Sequence, residues 1–91
     1  MIEIRCVING YVQGVAYRTY VQDAATALGV IGYVQNMRDG TVYVVAQGER
    51  DTLKDFVEYL NEGSLRAKVA GVAVEWGTRA TNYEDFGIVH T

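Results

Sequence analysis

The 91-residue sequence has no proline, one cysteine, one histidine and one serine, and each scarcity closes off some chemistry. Without proline, turns fall to glycine, asparagine and aspartate. Cys6 has no partner for an intramolecular disulfide, and no CxxC or Cys/His spacing offers a metal site. Lying in an apolar, strand-like run, it reads as a small buried hydrophobe rather than a reactive thiol. Ser64 is the one serine and sits in a loop with no histidine near it in sequence; His90 is penultimate. That distribution argues against a Ser–His–acid triad and against a histidine-based zinc site. The acidic residues, among them Asp23, Asp39, Asp51 and Asp55, are dispersed over helix and turn surfaces and read as solvated charge. An enzyme made from this chain works without the common nucleophiles, an evident general acid, a metal or another cofactor.

Charge and hydropathy exclude more. The net charge is -3 and the basic residues are scattered, so no basic face is available for nucleic acid. The N-terminus has neither a charged leader nor a long apolar core, and no run reaches membrane-spanning length. A soluble, reducing, cytoplasmic setting without a membrane partner is expected. What the chain does have is apolar residues, 49% of the total, distributed along its whole length. They are enough for one modest core, hence one domain over residues 1–91.

The periodicity of those residues gives the elements. Ile2, Ile4, Cys6 and Ile8 alternate with Glu3 and Arg5 as in a strand. From Tyr17 the period becomes helical, with Tyr17, Val21, Ala24, Ala25 and Leu28 on one face and Gly29 as C-terminal cap. Ile31 to Asn36 and Thr41 to Gln47 read as two strands of a hairpin turned by Met37-Arg38-Asp39-Gly40. Leu53, Phe56, Val57 and Leu60 form a second helical stripe that closes at Gly63. Val69 to Trp76 is a fourth strand, and Phe86 to His90 a short fifth after an exposed loop over residues 77–85. The order βαββαβ, plus the terminal strand, predicts an α+β two-layer ferredoxin-like sandwich. Its sheet is expected to be antiparallel, of four to five strands, with both helices on one face.

One segment invites chemistry: Gly10-Tyr11-Val12-Gln13-Gly14-Val15-Ala16-Tyr17-Arg18, a glycine-containing loop running from a strand into a helix. A helix N-terminus exposes unpaired N–H groups and favours an anion, and consecutive amides in such a turn can form a nest. Arg18 adds a planar fork of donors suited to phosphate. The segment is neither a Walker A loop nor a dinucleotide fingerprint. From the residues alone, an anion cradle and a plain strand–helix turn with a surface arginine both stand.

That segment resembles the first acylphosphatase signature, G-x-V-Q-G-V-x-[FY]-R. Gly32-Tyr33-Val34-Gln35-Asn36, followed by Gly40-Thr41-Val42 and Gly48, is similar to the second. The resemblance continues less specifically to Phe86 and Ile88. It implies hydrolysis of a small-molecule acyl phosphate without metal, by direct attack of water. It further implies that the amides of Gln13, Gly14, Val15, Ala16, Tyr17 and Arg18 cradle the phosphate. Arg18 would hold its oxygens, and the Asn36 side chain would position the water; both are the implied catalytic residues. Asn36 taken alone is equally an ordinary strand-end residue before a turn.

Two positions depart from the family pattern. Ala16 stands where many members carry glycine; a positive φ there would cost about 1 kcal/mol or more, and Gly14 is the better candidate for it. The loop Gly63-Ser64-Leu65-Arg66-Ala67 lacks a proline often seen after the second helix.

Three rivals stand against this reading. A silent ferredoxin-like module binding an anion or a partner protein has the same architecture. An RNA-recognition domain needs paired aromatics on central strands, where the third strand offers Tyr43 alone. A module of a larger carbamoyl-transfer protein is disfavoured by a chain that begins and ends with the module. Tyr11, Tyr20, Tyr33, Tyr43, Tyr59 and Tyr83 read as half-buried surface aromatics, and Arg38 as a solvated turn residue. A monomer is expected.

Overall fold

Alternation in the first ten residues sets the sheet. In the structure, a computed structural model that describes residues 1–90, strand β1 runs Ile2–Tyr11. Ile4, Cys6 and Ile8 are fully buried on one face, while Arg5 and Val7 are exposed on the other. The remaining elements are α1 (Tyr17–Leu28), β2 (Ile31–Asn36), β3 (Val42–Gly48), α2 (Arg50–Glu62), β4 (Lys68–Thr78) and β5 (Phe86–Val89). The expected elements are present with small boundary shifts. Strand β3 starts at Val42 and not at Thr41, because Asp39 Oδ1 accepts hydrogen bonds from both the amide and the hydroxyl of Thr41 and keeps it in the turn.

The strands lie in the order β4-β1-β3-β2-β5. Four of them pair antiparallel, as expected, but β5 runs parallel to β2, so the sheet is mixed. The reason is topological. Strand β4 ends where β1 begins, with Thr78 opposite Ile2, at the end of the sheet where β2 also starts. The chain crosses there, so β5 begins beside Gly32 and runs with β2.

Both helices cover one face, giving the ferredoxin-like α+β sandwich. Tyr17, Val21 and Ala25 of α1 and Leu53, Phe56 and Leu60 of α2 are buried against Ile4, Ile8, Val34 and Val44 of the sheet. Helix α1 ends at Gly29 in the left-handed conformation, whose N–H reaches back to the last turn. Ala24 and Leu28, on the flank of the same stripe, are half-buried.

The opposite face is partly open. The chain crossing from β4 to β5 shields one end of it, where Glu3 and Gln47 are buried. Gln47 Nε2 donates to Glu3 Oε1 at 2.9 Å and to the Thr81 carbonyl at 2.6 Å. Beyond them Tyr43 and Tyr83 pack against the ring of Tyr33. Among the described residues no helix is long and apolar enough to cross a membrane.

Candidate active site

The junction of β1 and α1 is built to leave a helix end unprotected. Strand β1 closes with a register shift between Asn9 and Gly10. A β-carbon at Gly10 would collide with the Lys68 carbonyl, so the close approach to β4 requires glycine there. After Val12, buried in the core, the chain turns through Gly14, whose φ is 74°, and Ala16, with φ 60° and ψ 24°. Ala16 is the one non-glycine with positive φ among the described residues. The expectation that Gly14 takes the left-handed conformation holds, but Ala16 takes it as well. The alanine is held there because Val15 and Tyr17 on either side are both buried and fix the path of the chain.

Ala16 is also the N-cap of α1, and its methyl group cannot cap. The first turn of α1 contains no acidic residue. Helix α2, by contrast, carries Asp51 in its first turn. The positive end of the α1 dipole is therefore compensated neither by its cap nor by its first turn, and Arg18 adds a like charge to it. Among the described residues, Arg18 makes neither a hydrogen bond nor an ion pair. The amides of Gly14, Val15 and Ala16 donate to no main-chain acceptor among the described residues. Such an end is stable only in contact with water or an anion.

Other contacts hold this unprotected loop in shape. Tyr17, at the start of α1, is 1% exposed and its hydroxyl donates to the Leu60 carbonyl at 2.7 Å, fixing α1 against the last turn of α2. Burial pushes this phenol far above its ordinary range, so it remains a donor. Ser64 Oγ donates to the Val15 carbonyl at 3.0 Å, so the loop after α2 secures the phosphate-binding candidate from behind. Gln13 Nε2 donates to two carbonyls of the β2–β3 hairpin, those of Met37 and Thr41.

Asn36 is the last residue of β2, opposite Val42 and therefore on the helix-facing side. Its Oδ1 is buried and accepts no hydrogen bond among the described residues. A buried acceptor left without a donor costs about 1–3 kcal/mol, so a donor is expected from outside the protein.

The sequence-predicted residues Gly14, Ala16, Tyr17, Arg18 and Asn36 line one depression of about 140 Å³ together with Val12, Thr19, Ile88 and His90. Gln13 and Val15 do not line it: the Gln13 side chain turns to the hairpin and Val15 is packed away in the core. Arg38 is exposed and lines a neighbouring depression with Gln35, Asn36, Met37 and Asp39. The sequence reading missed His90, which had served only to exclude a triad. Its one sequence signal was alternation with Phe86 and Ile88 in the last strand.

Known proteins match along almost the whole chain. Residues 4–88 fit the acylphosphatase family model. An acylphosphatase of Dehalococcoides mccartyi strain CBDB1 is 42% identical over 88 residues, covering 96% of this chain and 97% of the relative. The crystal structure of acylphosphatase from Bacillus subtilis superimposes with a TM-score of 0.96 at 34% identity, covering 99% of this chain and 100% of that one. An acylphosphatase structure from Coxiella burnetii gives 0.89 at 37% identity, with 96% and 90% covered. By its length, its two motifs and its fold, the chain belongs to the acylphosphatase family.

Proposed function

We propose that this protein hydrolyses acyl phosphates to a carboxylate and inorganic phosphate by direct attack of water on phosphorus, without a metal. The observation that carries the reading is a convergence. An uncapped helix N-terminus, the guanidinium of Arg18 and Oδ1 of Asn36, both without a partner among the described residues, border a single depression. At about 140 Å³ it falls below the roughly 300–1,000 Å³ of sites that enclose drug-sized ligands, and its donors suit a tetrahedral anion.

In this reading the amides from Gln13 to Arg18 and the Arg18 guanidinium hold the phosphoryl oxygens. They also stabilise the charge that spreads over them in a loose transition state. Asn36 Oδ1 accepts a hydrogen bond from the attacking water and fixes its line of approach. The water oxygen bonds to phosphorus as the bond to the acyl oxygen breaks, and that electron pair leaves on the carboxylate. A carboxylate is already stable as an anion near neutral pH, so its departure needs no strong acid. An amide is no base, so the water's proton passes to a phosphoryl oxygen, and no phosphoenzyme forms.

The other parts of the reading follow from the same site. A depression of this size supports action on a small molecule, in this reading by one domain over residues 1–91 acting as a monomer. A lone, buried, free cysteine supports a reducing, cytoplasmic setting. On the open face the aromatics are Tyr33, Tyr43 and Tyr83, while β1 presents Arg5 and Val7 there, which supports no role in nucleic-acid binding.

Hydrolysis of benzoyl phosphate is the test. Wild type should turn over in the presence of chelator, with label from ¹⁸O-water appearing in inorganic phosphate. Arg18→Gln should lose about 10²–10³-fold in kcat/KM. Trapping of a phosphoenzyme would refute direct attack, and absence of turnover by wild type would favour a silent anion-binding module.

A further inference from the structure

The reaction as written leaves the chain's one histidine unused, although His90 lines the same depression as Arg18 and Asn36. Two features of the fold bring it there. Strand β5 pairs with β2 so that Ile88 lies beside Val34 and Val89 beside Gln35, and His90 follows directly after the strand, at the end of the sheet where β2 reaches Asn36. Phe86 and Ile88 pack toward the core, and His90, exposed just past the strand, lines the depression with Ile88. Helix α1, which carries Arg18, is tied to this strand by Gln22 Nε2 donating to the Phe86 carbonyl at 3.1 Å.

Imidazole is the side chain that ordinarily changes charge between pH 5 and 8. Among the described residues, the charged groups around the depression come from α1, the β2–β3 hairpin and the loop after α2, whose Arg66 lines an adjoining depression with Gly14 and Ala16. Helix α1 presents Arg18, a fixed cation, whereas its Asp23 lines the groove beside Tyr20 and Tyr59. The β2–β3 hairpin carries Arg38 and Asp39 in the neighbouring depression, and the Asp39 carboxylate is engaged by Thr41. No carboxylate lines the depression itself among the described residues. An imidazolium here adds to the positive charge of Arg18, and a bound oxyanion supplies a counter-charge to both.

We infer that His90 is a proton-dependent contact for tetrahedral dianions in this pocket, so that anion binding and protonation of His90 favour one another. The inference rests on the pocket being the phosphate site. Its consequence is regulation of that site by pH: an oxyanion of constant charge is held more tightly in mildly acidic solution and released more readily in alkaline solution. By reciprocity, the factor by which protonation tightens the anion equals the factor by which the anion favours protonation.

Inorganic phosphate itself titrates in this range, so sulfate, whose charge is constant there, is the probe. At fixed ionic strength, the single imidazole signal can be followed by NMR from pH 5 to 8.5, with and without saturating sulfate. The His90 midpoint should rise by about half a unit or more, matched by about threefold or greater tightening of sulfate between pH 8 and pH 5.5. In His90→Gln the sulfate affinity should be flat with pH. An unmoved midpoint, or a His90→Gln variant that keeps the wild-type pH dependence, overturns the inference. Arg18→Gln separates the two levels. If it binds sulfate as wild type does, with the same shifts of the loop amides, the phosphate site is wrong and His90 falls with it. If Arg18→Gln loses sulfate while His90→Gln behaves as wild type, only the role of His90 is lost.

Discussion

Gln13 donates a hydrogen bond from Nε2 to the carbonyl of Thr41, 28 positions along the chain, at 2.9 Å, and a second to the carbonyl of Met37 at 2.8 Å. Met37 N in turn donates to that same Thr41 oxygen at 2.9 Å. One amide thus bolts the loop that leads to Arg18 onto the mouth of the hairpin that begins at Asn36. The relative position of the two proposed catalytic side chains depends on it.

Gln13→Ala should therefore uncouple anion binding from turnover. The loop amides and Arg18 stay anchored by Tyr17 and Ser64, so inhibition by phosphate should change by less than about threefold. Asn36 loses its reference to the anion, and kcat should fall by about 5- to 30-fold, equivalent to about 1–2 kcal/mol. A fall in phosphate affinity as large as the fall in kcat would show that Gln13 supports the cradle itself.

Ala16 holds a left-handed conformation that costs an alanine about 1–2 kcal/mol. Glycine removes that strain but gives the unfolded chain more freedom, which offsets about 0.4–1 kcal/mol. The strain is the larger quantity, so Ala16→Gly should raise stability by up to about 1 kcal/mol in urea unfolding at pH 7. A clear loss of stability would mean that the methyl group makes contacts that outweigh the strain.

Glu3 is 3% exposed at the shielded end of the open face. Burial pushes its carboxyl upward, but hydrogen bonds from Gln47, the Ala80 amide and Arg5, with the charge of Arg5, outweigh burial and hold it below its ordinary value. Such a carboxylate contributes stability above the unfolded value, about 4.3, and the contribution is lost as pH falls through the folded value. Glu3→Gln should be less stable than wild type by about 1.5–3 kcal/mol at pH 7. The gap should narrow below about pH 4.5. A gap that stays constant down to pH 3 would separate its cause from ionisation.

Cys6 is fully buried, and burial pushes its thiol up to about 12. At pH 8 the native protein should resist a thiol-specific reagent, and modification should proceed at the rate at which the molecule opens. Urea above the unfolding midpoint should release one reactive thiol per chain. Prompt labelling of the folded protein would show that β1 leaves the sheet readily.

The sequence by itself determined whatever depends on neighbours within one turn or one pleat. Alternation at Ile4, Cys6 and Ile8 specified β1, and the stripes through Val21 and Phe56 specified which helix faces are buried. The glycine-containing junction between strand and helix was equally visible, with an anion cradle as one of its two readings. For these features the physical cause is local, and local pattern was enough.

Only the tertiary structure decided what came together across the chain. The left-handed conformation of Ala16 follows from burial of Val15 and Tyr17, which forces the path between them. The Gln13 clamp requires the hairpin to fold back against the loop. The parallel pairing of β5 depends on which sheet edge stayed vacant and at which end the chain crossed. That pairing brings the end of β5 beside β2 and leaves His90 in the depression with Arg18 and Asn36. The two signatures joined Arg18 and Asn36 by resemblance, but His90 shares no periodicity or motif with them, and only the folded sheet brings it to the same depression.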